Sequence, residues 1–356
     1  MTSKFKSRSS AVRSALLHPY SVRMRWLRRI ALVLAALLVV ALAVGAGYEA
    51  TMRRRALREF PPAGRMVDIG GRRMQLDCRG TGSPIVVLES GLGTNGSLAW
   101  ALVHDAIAAT TRTCAYSRAG LMWSDASPGP HGARAIAADL KATLDAAGER
   151  GPYVLVGHSI GGAYVMVFTR LFPGDVAGLV LVDASHPDQR RRFREAVGDR
   201  AVPQFGVEKL GAALAWTGLV RLAVPPDAAS KLPASIEAAT TAFVPTSLGA
   251  LLEEADALEA TLADAGSQRS FGDLPLVVLT AMAPLEPAEL AAMQLDPSEG
   301  QRFKAVWKSL QDDEATWSTR SEHVVLTDST HYIQIDRPDA VISAVASVVE
   351  RVRAPH

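Results

Sequence analysis

The 356-residue chain has only two cysteines, Cys78 and Cys114, and its formal net charge is no more than +2. Two cysteines allow one disulfide at most. Paired Cys-x-x-Cys and His-Glu-x-x-His patterns are missing, so the sequence implies no metal and no other cofactor. Without a basic excess there is no case for a nucleic-acid surface. No segment repeats at a fixed period, which excludes solenoids and propellers. Long uncharged apolar runs are also scarce; the conspicuous one covers residues 30–48, rich in Leu, Val and Ala.

At about 1.5 Å per residue that run approaches the thickness of a hydrocarbon core of about 30 Å. Lys4, Lys6, Arg8, Arg13, Arg23, Arg25, Arg28 and Arg29 precede it, with no acid among them. Arg53, Arg54, Arg55, Arg58 and Arg65 follow, together with Glu49 and Glu59. The N-terminal excess of positive charge predicts a single-pass membrane helix with the N-terminus in the cytoplasm and the rest of the chain outside. A cleaved signal peptide is the alternative, given small residues at Ala43, Gly45 and Gly47. Residues 1–29 read as a basic, mostly disordered segment, and residues 49–64 as a charged spacer ending in Pro61-Pro62.

Beyond residue 64 the pattern changes. Residues 65–69 and 72–78 alternate around Gly70-Gly71, as a β-hairpin does. Apolar strands are predicted near 84–88, 113–116, 151–156, 176–182, 274–279 and 323–326. Helical periodicity appears around 100–109, 132–147, 163–172 and 340–352. Strands alternating with helices imply a mostly parallel sheet covered on both faces. The alternation stops over 187–270, an Ala-rich helical stretch with breaks expected at Pro203, Pro225-Pro226, Pro233 and Pro245. It reads as a helical cap inserted into a core formed by 65–186 and 271–356.

Gly157-His158-Ser159-Ile160-Gly161-Gly162 follows the strand at 151–156 and opens a helix. A serine hydroxyl is a poor nucleophile unless it is held exposed on a tight turn beside a base, and small neighbours at the flanking positions permit that turn. The N–H groups of the helix that follows point to where an oxyanion would form. His158 reads as support for the turn, since neighbours at an elbow point in different directions.

Together with Ser90-Gly91-Leu92-Gly93, Tyr116-Ser117-Arg118-Ala119-Gly120, Leu181-Val182-Asp183 and Ser329-Thr330-His331, this motif resembles the α/β-hydrolase superfamily, in its serine-hydrolase, AB hydrolase-1 form, over about residues 65–356. The resemblance implies an eight-stranded, mostly parallel sheet flanked by helices. It implies Ser159 as nucleophile, His331 as general base, and the backbone N–H groups of Leu92 and Ile160 as oxyanion hole. The acid is expected after the seventh strand, but that loop holds no Asp. Asp183, at the end of the sixth strand, is the first choice and Glu286 the alternative. Thr330 replaces the family's usual Gly before the histidine, and Ser117 its frequent Asp. In this fold Cys78 and Cys114 fall on neighbouring strands, so a disulfide is expected in an exported domain.

The expected function is hydrolysis of an ester, thioester or lactone through an acyl-enzyme. A serine at the elbow argues against haloalkane and epoxide chemistry, which uses aspartate there. An aminopeptidase of the proline iminopeptidase kind is the enzymatic alternative, with Glu253, Glu254 and Asp256 offered to a substrate ammonium. Perhydrolysis on the same triad and a non-catalytic binding or sensing module stay open. Trp216, Phe205 and Phe243 in the cap suggest a small-molecule substrate with an apolar part.

Overall fold

The computed structural model describes residues 24–129, 131–200, 205–225 and 230–354 with their side chains, and the backbone of 8–23 and 201. Eight strands form one sheet: β1 (Arg65–Asp68), β2 (Arg73–Arg79), β3 (Ile85–Glu89), β4 (Thr113–Ser117), β5 (Tyr153–His158), β6 (Val176–Val182), β7 (Leu276–Ala281) and β8 (Ser321–Leu326). Their order is β1-β2-β4-β3-β5-β6-β7-β8. β2 runs antiparallel to β1 and β4, and the remaining pairs are parallel. The hairpin turns at Gly70 and Gly71, with φ of +94° and +97°, which only glycine adopts readily. Asp68 Oδ1 accepts both of their N–H groups.

Central strands buried on both faces explain the continuous apolar runs of β5, β6 and β7. One apolar layer joins Leu155 and Leu181 to Leu140, Leu144, Tyr164 and Phe168 of the helices Ala133–Ala147 and Ile160–Leu171. The other joins Val86, Val154 and Val180 to Val341, Val345 and Val348 of the closing helix Pro338–Arg353. Cys78 lies opposite Cys114 in the β2–β4 register, and a disulfide joins them with 4.0 Å between Cα atoms.

The cap departs from expectation in detail. Between β6 and β7 lie the helices Gln189–Val197, Gly206–Leu214, Leu219–Ala223, Ala234–Asp256 and Leu258–Ala265. Pro233 precedes the fourth of these, but Pro245 sits inside it rather than ending it. Pro203 and Pro226 lie outside the described residues. The helix Leu258–Ala265, assigned to the cap from sequence, sends Leu262 and Ala265 into the sheet's own core.

The N-terminal region departs further. A single helix runs Arg8–Glu59, so the basic segment is helical from Arg8 onward; Lys4 and Lys6 lie outside the described residues. Its part Met24–Glu59 is long and apolar enough to cross a membrane, and its most apolar 18 residues have mean hydropathy 2.8 and are 0% buried. Helix continues through residues 49–59 of the expected spacer, and residues 60–64 are irregular. Ala56 packs with Met122, Trp123 and Phe243. The helices Pro287–Ala292 and Pro297–Glu314, between β7 and β8, were not anticipated.

Candidate active site

β5 delivers its last residues into a sharp turn before the helix Ile160–Leu171. Ser159 stands at the turn with φ +54° and ψ −127°, angles a non-glycine residue holds only when its surroundings impose them. The packing shows why the flanking residues are glycine. A Cβ on Gly157 would fall 2.6 Å from the Gly161 carbonyl oxygen, and one on Gly161 would fall 2.6 Å from that of Ser90. The loop after β3 presses on the same turn, since a Cβ on Gly91 would lie 2.9 Å from His158 Nδ1. Leu92 follows Gly91 in that loop, and Ile160 follows Ser159 at the turn. Ile160 is the first residue of its helix, so its N–H has no partner within the helix. The Ile160 side chain is buried and the Leu92 side chain half-buried, packed on the core.

Asp183 follows β6 directly and is 2% exposed. Its Oδ2 lies 2.6 Å from His331 Nδ1. Its Oδ1 accepts the Ala281 N–H at 2.8 Å and the Trp307 indole N–H at 2.8 Å. With both oxygens engaged, the carboxylate has no freedom to turn away. A histidine that donates from Nδ1 to a carboxylate keeps its lone pair on Nε2, the tautomer a base needs. Glu286 makes no bond to His331 among the described residues. It is exposed and opens the helix Pro287–Ala292, with a reciprocal capping box to Glu289. The bond that could have joined it to His331 is made by Asp183 instead. The Trp307 donor was missed from sequence. The helix carrying it was announced by Asp296-Pro297-Ser298-Glu299, a capping box with Pro at the first turn.

Two further groups hold the histidine loop. Thr330, where a glycine was expected, donates its N–H and its hydroxyl to Asp336 Oδ2. His158 donates from Nε2 to the His331 carbonyl at 2.9 Å, while its Nδ1 accepts from Gln334 Nε2 at 3.3 Å. Burial, and then the nearby His331, push the His158 pKa down to about 3, so its ring stays neutral. His158 thus supports the His331 loop as well as the turn.

Comparison with known proteins places this geometry. The sequence profile described as the Alpha/beta hydrolase family matches residues 85–344, more than half of the chain. The chain belongs to the alpha/beta hydrolase family. Among solved structures, this chain is similar to an esterase from Thermogutta terrifontis, with TM-score 0.57 and 18% identity over 80% of this chain and 95% of that one. It is equally similar to a putative epoxide hydrolase from Pseudomonas aeruginosa, with TM-score 0.59 and 19% identity over 83% and 99%. At these identities the likeness is one of fold. A curated relative, described as a probable transporter from Hormonema carpetanum, is 37% identical over 128 residues. That match covers 34% of this chain and 18% of the relative, so the chain spans less than a fifth of that protein's length.

In this chain, Ser159, Asp183, Thr330 and His331 line one cavity of about 590 Å³. Phe193, Phe205, Leu285, Met293 and Phe303 form apolar walls, and Arg190, Glu208 and Lys304 add charge. Burial lowers the Lys304 pKa, and its ammonium donates to the Ala281 carbonyl at 2.7 Å. Of the three cap aromatics picked out from sequence, only Phe205 lines the cavity. Phe243 packs edge-on against Trp123 at 5.4 Å, and Trp216 is 53% exposed on the outer surface.

The cap carboxylates offered to a substrate ammonium are engaged elsewhere. Glu253 pairs with His131 at 2.7 Å and Asp256 with Lys209 at 3.2 Å. Glu254 is buried against Arg118, whose Nε and Nη2 both reach it at 2.7 Å. The other Arg118 bonds go to Glu89, Ser90 and the Gly91 carbonyl. Ser117 Oγ donates to Gln75 and accepts the Ser97 N–H, an uncharged link at the position where an Asp was expected.

Proposed function

We propose that this chain is a membrane-anchored serine hydrolase that cleaves an ester, thioester or lactone through an acyl-enzyme. One observation carries the reading: Ser159, held at strained angles on the elbow, opens onto the same cavity as His331, whose Nδ1 is 2.6 Å from Asp183.

In this reading Ser159 Oγ attacks the substrate carbonyl carbon and His331 Nε2 takes its proton. Asp183 fixes the tautomer and stabilises the imidazolium. The Leu92 and Ile160 N–H groups receive the oxyanion. When the tetrahedral intermediate collapses, the leaving oxygen or sulfur takes the proton from His331. Water then attacks the acyl-enzyme, gives its proton to His331, and Ser159 recovers it as the acid departs. No step needs a metal or cofactor. The apolar walls favour a small-molecule substrate with an apolar part.

A serine at the elbow disfavours epoxide and haloalkane chemistry, and the aminopeptidase alternative loses its support because Glu253, Glu254 and Asp256 already have partners. The run 30–48 serves as the anchor. The basic N-terminal flank and the Cys78–Cys114 bridge favour a catalytic domain outside the cytoplasm.

The test is covalent labelling of the full chain by a fluorophosphonate, followed by a panel of esters of varied acyl length. Wild type is expected to label at Ser159 and turn over, and Ser159→Ala to do neither, with a loss of about 10⁶ in kcat. Label absent from the folded wild type, or turnover retained by Ser159→Ala, would overturn the mechanism. The first of those results would favour a binding module, and turnover only with peroxide present would favour perhydrolysis.

A further inference from the structure

The long helix and the cap meet before the apolar run of the helix has ended. Buried or half-buried positions recur along the helix at Leu42, Gly45, Ala46, Glu49, Met52 and Ala56, a single stripe with helical spacing. Gly45 lies against the Thr217 carbonyl, and a Cβ on Gly218 would fall 2.6 Å from the Tyr48 ring. Arg221 binds Glu49 through two bonds, at 2.6 and 2.8 Å. Leu42, Gly45, Ala46 and Tyr48 belong to the run 30–48 itself. The cap segment 206–223 is therefore fastened to the last two turns of that run, at the depth where a spanning helix leaves the hydrocarbon.

The same segment carries large apolar side chains with no protein cover. Val207 is 82% exposed and Leu222 71%, and Leu210, Trp216 and Leu219 are each more than half exposed. Scattered exposed leucines are ordinary, but a set of five on adjoining short helices marks an interaction surface. The helix that carries Val207 and Leu210 also turns Glu208 into the cavity beside Ser159, with Phe205 just before it.

We propose that this face of the cap docks into the interfacial region of the lipid leaflet that its own helix enters. The occupant is lipid because the face adjoins the exposed apolar helix and is held at its exit by Gly45, Tyr48 and Glu49. Docked in this way, the Phe205–Leu210 wall of the cavity rests on the bilayer, and the substrate class becomes acyl compounds dissolved in lipid. This rests on the proposal that 30–48 spans the membrane, and the two can fail separately.

The experiment places one environment-sensitive NBD label at a time on the oxidised full chain, through Leu38→Cys, Leu210→Cys, Leu222→Cys and, at the opposite end of the strands, Arg150→Cys. Each is reconstituted in phosphatidylcholine–phosphatidylglycerol vesicles and quenched by lipids brominated at graded depth. Leu219→Cys replaces either cap variant that loses its helical circular dichroism. Label 38 is expected deep in the hydrocarbon. Labels 210 and 222 are expected about 5–10 Å into the headgroup–acyl boundary, with blue-shifted emission, and label 150 in water. If 38 is quenched while 210 and 222 report water, docking is wrong and the anchor stands. If 210 and 222 are blue-shifted yet bromolipid does not quench them, protein covers the face, as in a second copy, and docking is again wrong. If 38 itself reports water, both proposals fall together.

Discussion

Asp183 follows β6 and Glu89 ends β3, on either side of β5, and both carboxylates are almost wholly buried, at 2% and 1% exposure. They differ in what their partners face. Asp183 holds His331, whose side chain is 39% exposed and lines the cavity. Glu89 holds Arg118, 2% exposed, which is closed over from the other side by Glu254 of the cap. Burial raises the Glu89 pKa against the pull of Arg118, and perturbed groups of this kind are also found at catalytic centres. Yet every Arg118 nitrogen is used on protein acceptors, and the cluster lines no part of the cavity beside Ser159. A buried charge becomes chemistry only when its partner reaches a space that a substrate can enter; otherwise it joins layers, here cap to core.

The largest expected contrast comes from breaking each carboxylate in turn. Asp183→Asn should leave the unfolding transition close to wild type and lower kcat by about 10⁴, because the amide favours the wrong histidine tautomer. Glu286→Gln in the same assay should stay near wild type. A crippled Glu286→Gln beside a nearly normal Asp183→Asn would reverse the assignment of the acid. Glu254→Ala should do its damage in stability. Removing one partner of a buried pair strands the charge, at a cost of about 3–5 kcal/mol. Denaturant unfolding measures this, and a variant within about 0.5 kcal/mol of wild type, the range of ordinary surface substitutions, would show that Glu254 anchors nothing.

The two clusters also differ in how far the sequence revealed them. Ser159 stood out because strand, turn residues and helix agree over a dozen positions, and each has a local physical cause. The sheet was readable for the same reason: buried parallel strands must be continuously apolar. Asp183 emerged through the lack of an acid after β7. Its second oxygen's partner did not, because Trp307 lies on a helix where an aromatic on one face reads as ordinary packing. Glu254 reads from sequence like its neighbours Glu253 and Asp256, as a carboxylate free to meet a substrate ammonium. The one position that turns inward is fixed by Arg118, distant in sequence and invisible to periodicity. Pro245 was read as a break and is instead carried within a long helix packed on both the core and the N-terminal helix. The arginines of 49–64 gave no sign of the stripe Glu49, Met52 and Ala56 that faces the protein, because the residues around it are exposed.

A smaller effect tests whether the Asp183 side of the comparison depends on its supporting donors. Trp307→Phe keeps the ring against Phe193, stacked at 5.9 Å, and removes only the indole N–H. A hydrogen bond to a charged group is worth about 1.5–3 kcal/mol. If part of that positions Asp183 for His331, kcat should fall about tenfold, near 1.4 kcal/mol in the barrier, with KM little changed. A rise in KM at constant kcat would mean that Trp307 serves the cavity wall alone.

Glu314 completes the contrast, because it is a buried carboxyl that neither a histidine nor an arginine pairs with among the described residues. It ends the helix that carries Trp307, is 0% exposed, and neither oxygen has a hydrogen-bond partner among the described residues. Burial, and then the negative charge of Asp183, raise its pKa well above the ordinary glutamate value of 4.5. The sign follows from the linkage between protons and folding. Below the ordinary value both folded and unfolded chains carry the proton, and the residue adds no pH dependence. As pH rises through that value, the unfolded chain releases the proton and the folded chain keeps it, so stability falls by about 1.4 kcal/mol per pH unit until the raised pKa is reached. Glu314→Gln removes the proton from the balance. The variant should match the wild-type pH dependence below the ordinary glutamate range and gain stability over wild type as pH climbs toward neutrality. Unfolding curves at a series of pH values measure the difference. A Glu314→Gln curve parallel to wild type across the whole range would mean that the carboxyl is ionised in the folded chain, with a charge partner of its own.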